Sequence, residues 1–345
     1  MKFSLFAHVE RFDGTTPWPQ LYGELQELVQ VAEDGGFAAF WTGEHYGMEF
    51  TVGPDPLTLL VHLASQTRSI RLVTGNIVAP FWHPLRLASE AALADVLTNG
   101  RIELGIARGA YQFEFDRVMD GMNAMQGGSH LREIVPLLHQ LWRGDVAHEG
   151  ENWSFPTATS VPKPVQEGGP PIWIAARDPS SHDFAVANGC DVCCTPLAKD
   201  DTEVEDLVAK FQTACAAHPE VPRPRLMMLR HAFVVERDDQ VPDAARAVKD
   251  WYAYFEKWIR NDGSVRLGHT GMLDDAELAA KPIYDLDAVT ANNLIGTPET
   301  LIPRLQRYRE LGIDEVGLWL DNGRPHAEKR AALELFIREV VPAFA

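Results

Sequence analysis

"IRLVTGNIVAPFWHPLRLASEAALADVLTNGRIELGIARGAYQFEF", residues 70–115, carries a strand, a helix and a second strand in one continuous run. Residues 70–77 form a short apolar segment of the kind that becomes a buried strand. Pro84 opens a helix that extends to Leu97, with proline at the start, where its missing amide donor would be unpaired in any case. Ile102, Leu104 and Ile106 then alternate as the next strand. A helix between two strands is the connection that parallel strands require, so this stretch predicts a parallel α/β fold.

The same rhythm runs outward in both directions. Further strands are predicted at 2–8, 38–42, 171–175, 191–194, 226–235 and 315–320, which makes eight with the two above. Helices are expected at 56–66, 130–142, 179–188, 203–216, 241–260, 298–311 and 325–340, and most have proline near their start. The first helix lies in "LYGELQELVQVAEDGGF", where Leu21, Leu25, Leu28, Val29 and Ala32 share a face and Gly35 and Gly36 end it. Eight alternations close into a (β/α)8 TIM barrel without leaving a sheet edge. An open doubly wound sheet is the rival, but "VERFDGTTPWP" after the first strand lacks the GxGxxG turn such a sheet usually carries. Two stretches interrupt the pattern, 143–169 after strand 4 and 261–296 after strand 7, and they are expected as insertions, the second as a lid.

The 345 residues are 46% hydrophobic, enough for one large core and one domain spanning 1–345. A net charge of −18 argues against a nucleic-acid or anionic-membrane partner. No apolar run reaches the roughly 18 to 20 residues of a membrane span, and "MKFSLFAHVERFDG" reads as an N-terminal strand, so a cytoplasmic chain is expected. Four cysteines do not make a disulfide scaffold.

In a barrel the reactive groups gather at the carboxyl ends of the strands. His8 ends the first; Glu44 and His45 follow the second in "AAFWTGEHYG"; Gly75 and Asn76 end the third; Arg108 and Tyr111 follow the fourth; Arg177 and Asp178 follow the fifth. Arg108, between Ala107 and Gly109, is either an anion site that a large ligand can approach or a cation paired with Glu103 or Glu114. In "PIWIAARDPSSHDF" Asp178 caps a helix begun by Pro179; the stretch is either a plain capped helix or a phosphate site using Ser180, Ser181 and the free amides. Arg177 would supply positive charge there, and Asp178 would cap rather than touch phosphate. Read alone, His45 is a structural imidazole bonded to a backbone carbonyl.

Taken together these segments resemble the bacterial luciferase-like, flavin-dependent monooxygenase family across nearly the whole chain. "FWTGEHYG" (40–47), the run 70–118, "LREIV" (131–135), "PPIWIAARDPSS" (170–181) and "IGTPETLIPRLQRYRELGIDEVGLW" (295–319) follow the family's order and spacing. The resemblance implies FMN at the barrel mouth, with its ring near the third strand and its phosphate between the fourth and fifth. Arg108 and Arg132 would meet the phosphate, Ser181 would add a hydroxyl, and Ala175 and Ala176 would lie beside the cofactor. The family often has a non-proline cis peptide under the flavin, and it falls here on Gly75 and Asn76. His45 matches the family's active-site histidine and would be a general base or a hydrogen-bond partner near the flavin C4a position. Ala107 stands where the luciferases carry a reactive cysteine, Arg177 where they have Glu, and Asp178 where they have Ser. The chemistry implied is reaction of reduced FMN with O2 to a C4a-hydroperoxide that passes one oxygen atom to a small organic substrate. Trp41, Phe81, Trp82, Tyr111 and Trp251 are the candidates for the substrate pocket. With no Rossmann fingerprint and no P-loop, reduced flavin would come from a separate flavin reductase. A homodimer or higher homo-oligomer is the family's usual state.

Three other readings compete. A deazaflavin F420-dependent oxidoreductase and a non-catalytic flavin-binding protein would share the fold. A metal-dependent barrel hydrolase would want HxH after the first strand, where this chain has His8-Val9-Glu10. Cys190, Cys193, Cys215 and His218 imitate zinc spacing, but Cys190 and Cys193 would face opposite sides of a strand, so no metal is expected.

Overall fold

The computed structural model describes residues 1–261 and 263–344. Its strands are β1 (Lys2–Phe6), β2 (Ala39–Thr42), β3 (Arg71–Val78), β4 (Ile102–Ala107), β5 (Val146–Glu149), β6 (Ser154–Ala158), β7 (Ile172–Ala175), β8 (Asp191–Cys194), β9 (Leu226–Val234), β10 (Leu294–Gly296) and β11 (Glu315–Trp319). The order β1-β2-β3-β4-β7-β8-β9-β11 closes on itself, each neighbour parallel, and is the barrel expected from the sequence.

Side-chain alternation divides the interior in two. Leu5, Phe40, Leu72, Leu104, Ile174 and Leu318 point outward and join the core beneath the helices. Phe6, Trp41, Val73, Trp173, Met227 and Trp319 point inward and fill the barrel. The helix Trp18–Asp34 buries Leu21, Leu25, Leu28, Val29 and Ala32 on that outer layer, and Gly36, at φ +79°, turns the chain back into β2.

Polar side chains close the amino end of the barrel. Glu103 on β4 accepts from Trp173 Nε1 at 2.6 Å, Arg71 Nε at 2.7 Å and Arg225 Nη2 at 2.8 Å, and Arg225 also grips Asp191 at 2.6 Å. Burial alone would raise the pKa of Glu103, but Arg225 and Arg71 outweigh it and hold the carboxyl below its ordinary value. That leaves the carboxyl end of the barrel for chemistry.

Both insertions lie where the sequence places them. The first contains the antiparallel hairpin β5–β6, which the sequence reading did not anticipate. The second carries two short helices, Asp275–Ala279 and Leu286–Asn292, and the strand β10, which extends β9 in parallel. A helix at Gln112–Val118 is also additional. The helix expected at 130–142 begins earlier, at Gly127, which packs so closely on Arg108 that a Cβ there would stand 1.9 Å from its carbonyl oxygen. Among the described residues no helix is long and apolar enough to cross a membrane.

Candidate active site

The tips of the strands surround a cavity of about 300 Å³, the size of a small-ligand site. β1 contributes Phe6 and the following His8; β2 contributes Trp41 and the following Glu44 and His45. Gly75 and Asn76 come from β3, Arg108 and Tyr111 follow β4, Ala175 and Ala176 come from the end of β7, and Trp319 from β11.

The cluster after β2 separates into distinct tasks. Glu44 is 1% exposed and accepts from Val78 N at 2.8 Å, Trp82 Nε1 at 3.0 Å and Tyr46 Oη at 2.7 Å. Its carboxyl therefore ties the ends of β2 and β3 together. Burial pushes its pKa up to about 7, against the lowering effect of those three donors, and Glu114 adds to the rise. His45 faces the cavity with Nδ1 3.2 Å from Glu114 Oε1, and the same oxygen accepts from Tyr46 N at 2.8 Å. A carboxylate oxygen can only accept, so His45 Nδ1 carries a proton towards Glu114, and in the neutral ring the lone pair is then on Nε2.

The peptide between Gly75 and Asn76 is cis, at the position the family pattern indicates. A Cβ on Gly75 would stand 3.1 Å from Phe6 and 3.2 Å from Trp41, so the backbone itself forms the cavity wall here. Asn76 Oδ1 lies 3.5 Å from Cys193 Sγ across the barrel.

On the side between β4 and β7, Arg108 makes no ion pair among the described residues; its Nη1 touches Met125 Sδ at 3.3 Å, so the pairing with Glu103 or Glu114 is not formed. Asp178 caps the helix Pro179–Ala187 by accepting from Ser181 N at 3.0 Å. Arg132 is exposed and reaches Ser180 Oγ at 3.2 Å. Arg177 departs from the expected role: it lines the cavity, but its guanidinium is held by Glu203 at 2.6 Å and the Thr195 carbonyl at 3.0 Å. Ser181 Oγ is likewise engaged within the chain, accepting from Arg177 N at 3.0 Å and donating to the Asp178 carbonyl at 2.8 Å.

Of the five aromatic candidates, Trp41 and Tyr111 line the cavity and three do not. Trp82 turns away to bond Glu44. Phe81 packs on Tyr46 and Phe115. Trp251 is 1% exposed, donates to Glu10 and packs against Trp319 and His231, as a helix-face tryptophan does when the adjoining core needs filling. None of the described residues of 261–296, the expected lid, lines this cavity, and Leu286–Asn292 packs on the helix Val241–Arg260. Glu114 and Trp319 line the cavity and were not among the predicted site residues. Glu114 sits on a helix face where its spacing reads as surface; Trp319, an inward tip of the last strand, could have been found from strand parity.

The sequence model for luciferase-like monooxygenases matches residues 1–315. The chain is 47% identical over 345 residues to the oxygenase component of flavin-dependent trigonelline monooxygenase of Acinetobacter baylyi, covering 100% of this chain and 96% of that one. The fold is similar to a monooxygenase of Streptomyces bottropensis, with TM-score 0.85 and 24% identity over 100% of both chains. It is also similar to the oxygenating constituent of 3,6-diketocamphane monooxygenase of Pseudomonas putida in complex with FMN, with TM-score 0.77, 18% identity and coverage of 99% and 98%.

Proposed function

The chain belongs to the luciferase-like monooxygenase family, and from that premise we propose that it is the oxygenase of a two-component system, fed reduced FMN by a separate flavin reductase and using O2 to oxygenate a small aromatic carboxylate. It is an oxidoreductase, a flavin-dependent monooxygenase. Trigonelline, 1-methylpyridinium-3-carboxylate, is the first candidate substrate, on the full-length 47% identity.

The observation that carries the reading is the meeting of His45, Gly75, Asn76, Arg108, Ala175 and Ala176 on one cavity. These residues fit a flavin. Glycine and alanine leave backbone and methyl surface for a flat ring, and Arg108, without a carboxylate partner, fits a phosphate. Gly75, Asn76, Ala175 and Ala176 would flank the ring; Arg108, Arg132 and the start of the helix Pro179–Ala187 would hold the phosphate. Asp178 and Ser181 would build that helix start, and Arg177 would brace it through Glu203. When bound, reduced FMN supplies the electrons that activate O2 for transfer of one oxygen atom.

The chain's own part is to hold and exclude. His45 Nε2 offers a lone pair to a proton at the reacting centre, fixed in that tautomer by Glu114. Trp41, Trp319 and Phe6 present apolar faces that keep water from the same space. Aromatic faces also suit a pyridinium cation.

The test supplies trigonelline, NADH, FMN, a flavin reductase and 18O2. Product carrying one 18O atom is expected, with loss of at least about 100-fold in kcat for His45→Ala. Product formation with reduced F420 in the absence of O2, or flavin binding with no substrate-dependent product, overturns the reading.

A further inference from the structure

His8 is buried, at 8% exposure, and lines the cavity, yet its Nδ1 has no hydrogen-bond partner. Its ring is wedged edge-on against His45 at 4.7 Å, Phe6 at 4.7 Å and Trp319 at 4.9 Å between centroids. Gly43 closes the Cε1–Nδ1 edge, since a Cβ there would come within 2.8 Å of Cε1 and 3.1 Å of Nδ1. The Nε2 edge is thereby left to the cavity. His8 stands two residues beyond the inward-facing Phe6, so it faces the same space, and Val9 after it holds φ at +61°, a conformation that β-branched side chains rarely adopt.

Burial, then His45 and His231, hold its pKa well below the ordinary histidine value, which favours the neutral ring. A neutral imidazole has two tautomers. One would place an N–H at the sealed Nδ1, and a buried donor without an acceptor is among the least tolerated groups in proteins. The other leaves Nδ1 bare and puts the proton on Nε2. His8 then offers an uncharged donor beside His45.

We propose that His8 is a substrate-binding residue whose Nε2–H donates to a carboxylate oxygen of a flat aromatic substrate, fixing the ring in front of His45. This rests on the substrate class given above and adds to it a residue that selects for the carboxylate. An imidazole that merely packs would leave affinity indifferent to that group.

Two measurements on the full chain decide it. In 15N-histidine spectra of the unmutated protein, the His8 signals, assigned by their loss in His8→Gln, should report the Nε2–H tautomer. They should move on adding trigonelline or benzoate and stay fixed with 1-methylpyridinium, which lacks the carboxylate. In kinetics, His8→Leu should raise the KM for trigonelline roughly 10- to 100-fold, as expected for losing a hydrogen bond to a charged group, with a smaller change in kcat. His8→Gln, which keeps a donor, should recover part of that loss. Signals that ignore both carboxylates, or a His8→Leu variant with wild-type KM, overturn the proposal. If the wild-type enzyme does not turn over trigonelline, the substrate reading falls by itself, and the benzoate titration still upholds or overturns the role of His8.

Discussion

His45 acts in this site only as Glu114 permits. Glu114 Oε1 receives both the Tyr46 amide and His45 Nδ1, so one buried oxygen fixes the loop after β2 and the tautomer of the imidazole. Glu114→Gln keeps the size of the side chain, and its amide oxygen can still accept from both Tyr46 N and His45 Nδ1, but it no longer stabilises a positive imidazole. The expected result is a fall in kcat of roughly tenfold or more with little change in KM, read by steady-state kinetics; equal loss in both would make Glu114 a binding group instead. In the sequence, "GEHY" can be recognised as the reactive end of a strand, because an apolar run gives way to a carboxylate, an imidazole and a phenol. What each does is not legible there, since Glu44 answers to Val78 and Trp82 and His45 to Glu114, all far along the chain. Arg177 shows the same limit: a cation beside a capped helix reads as a phosphate ligand, but the carboxylate that claims it, Glu203, belongs to the next helix.

The site depends most on the contact between β3 and β4. Their pairing shifts between Thr74 and Ile77, around the Gly75–Asn76 peptide, and Gly105 on β4 faces the irregularity. A Cβ on Gly105 would stand 2.0 Å from the Thr74 carbonyl oxygen and 2.6 Å from Asn76 Oδ1. Neither backbone nor a barrel-facing amide can yield that much, so Gly105→Ala should destabilise by about 1–3 kcal/mol or more and displace Asn76. Urea midpoints measure the first effect and FMN binding the second; an unchanged midpoint would show that β3 and β4 can slide apart. The barrel strands were legible because each is a short apolar run between turn residues and each is followed by a helix of recognisable period. β5 and β6 were not, since they are short and set only Val146 and Phe155 against the core, too few apolar positions to imprint a pattern. β10 has three residues, too few for any period to appear.

Across the molecule, burial has left several histidines without the charge or the partners they would have in water. His182, on the helix Pro179–Ala187, is 0% exposed with both ring nitrogens unpaired, and burial, aided by Lys210, holds its pKa down at about 4. His231 stacks on Trp319 and is pushed to about 3 by burial and Arg230. A histidine depressed in the fold takes up its proton only in the unfolded chain, so stability is lost as pH falls from its free value of about 6.5 toward the folded value. Glu10 and Glu44 act in the opposite sense. Their raised pKa values let the folded chain bind protons first, which favours the fold on acidification, so the total slope with pH does not isolate either group. A comparison of variants does. His182 lies away from the cavity, and His182→Phe removes one such proton site. The variant should gain on the wild type as pH falls from 7.5 to 4.5, by up to about 1.4 kcal/mol per pH unit below 6.5. Urea unfolding at several pH values supplies the measurement. Two curves that run parallel through this range would mean that His182 finds a proton partner in the folded state, and that the burial which sets its pKa is not as tight as the packing of these helices shows.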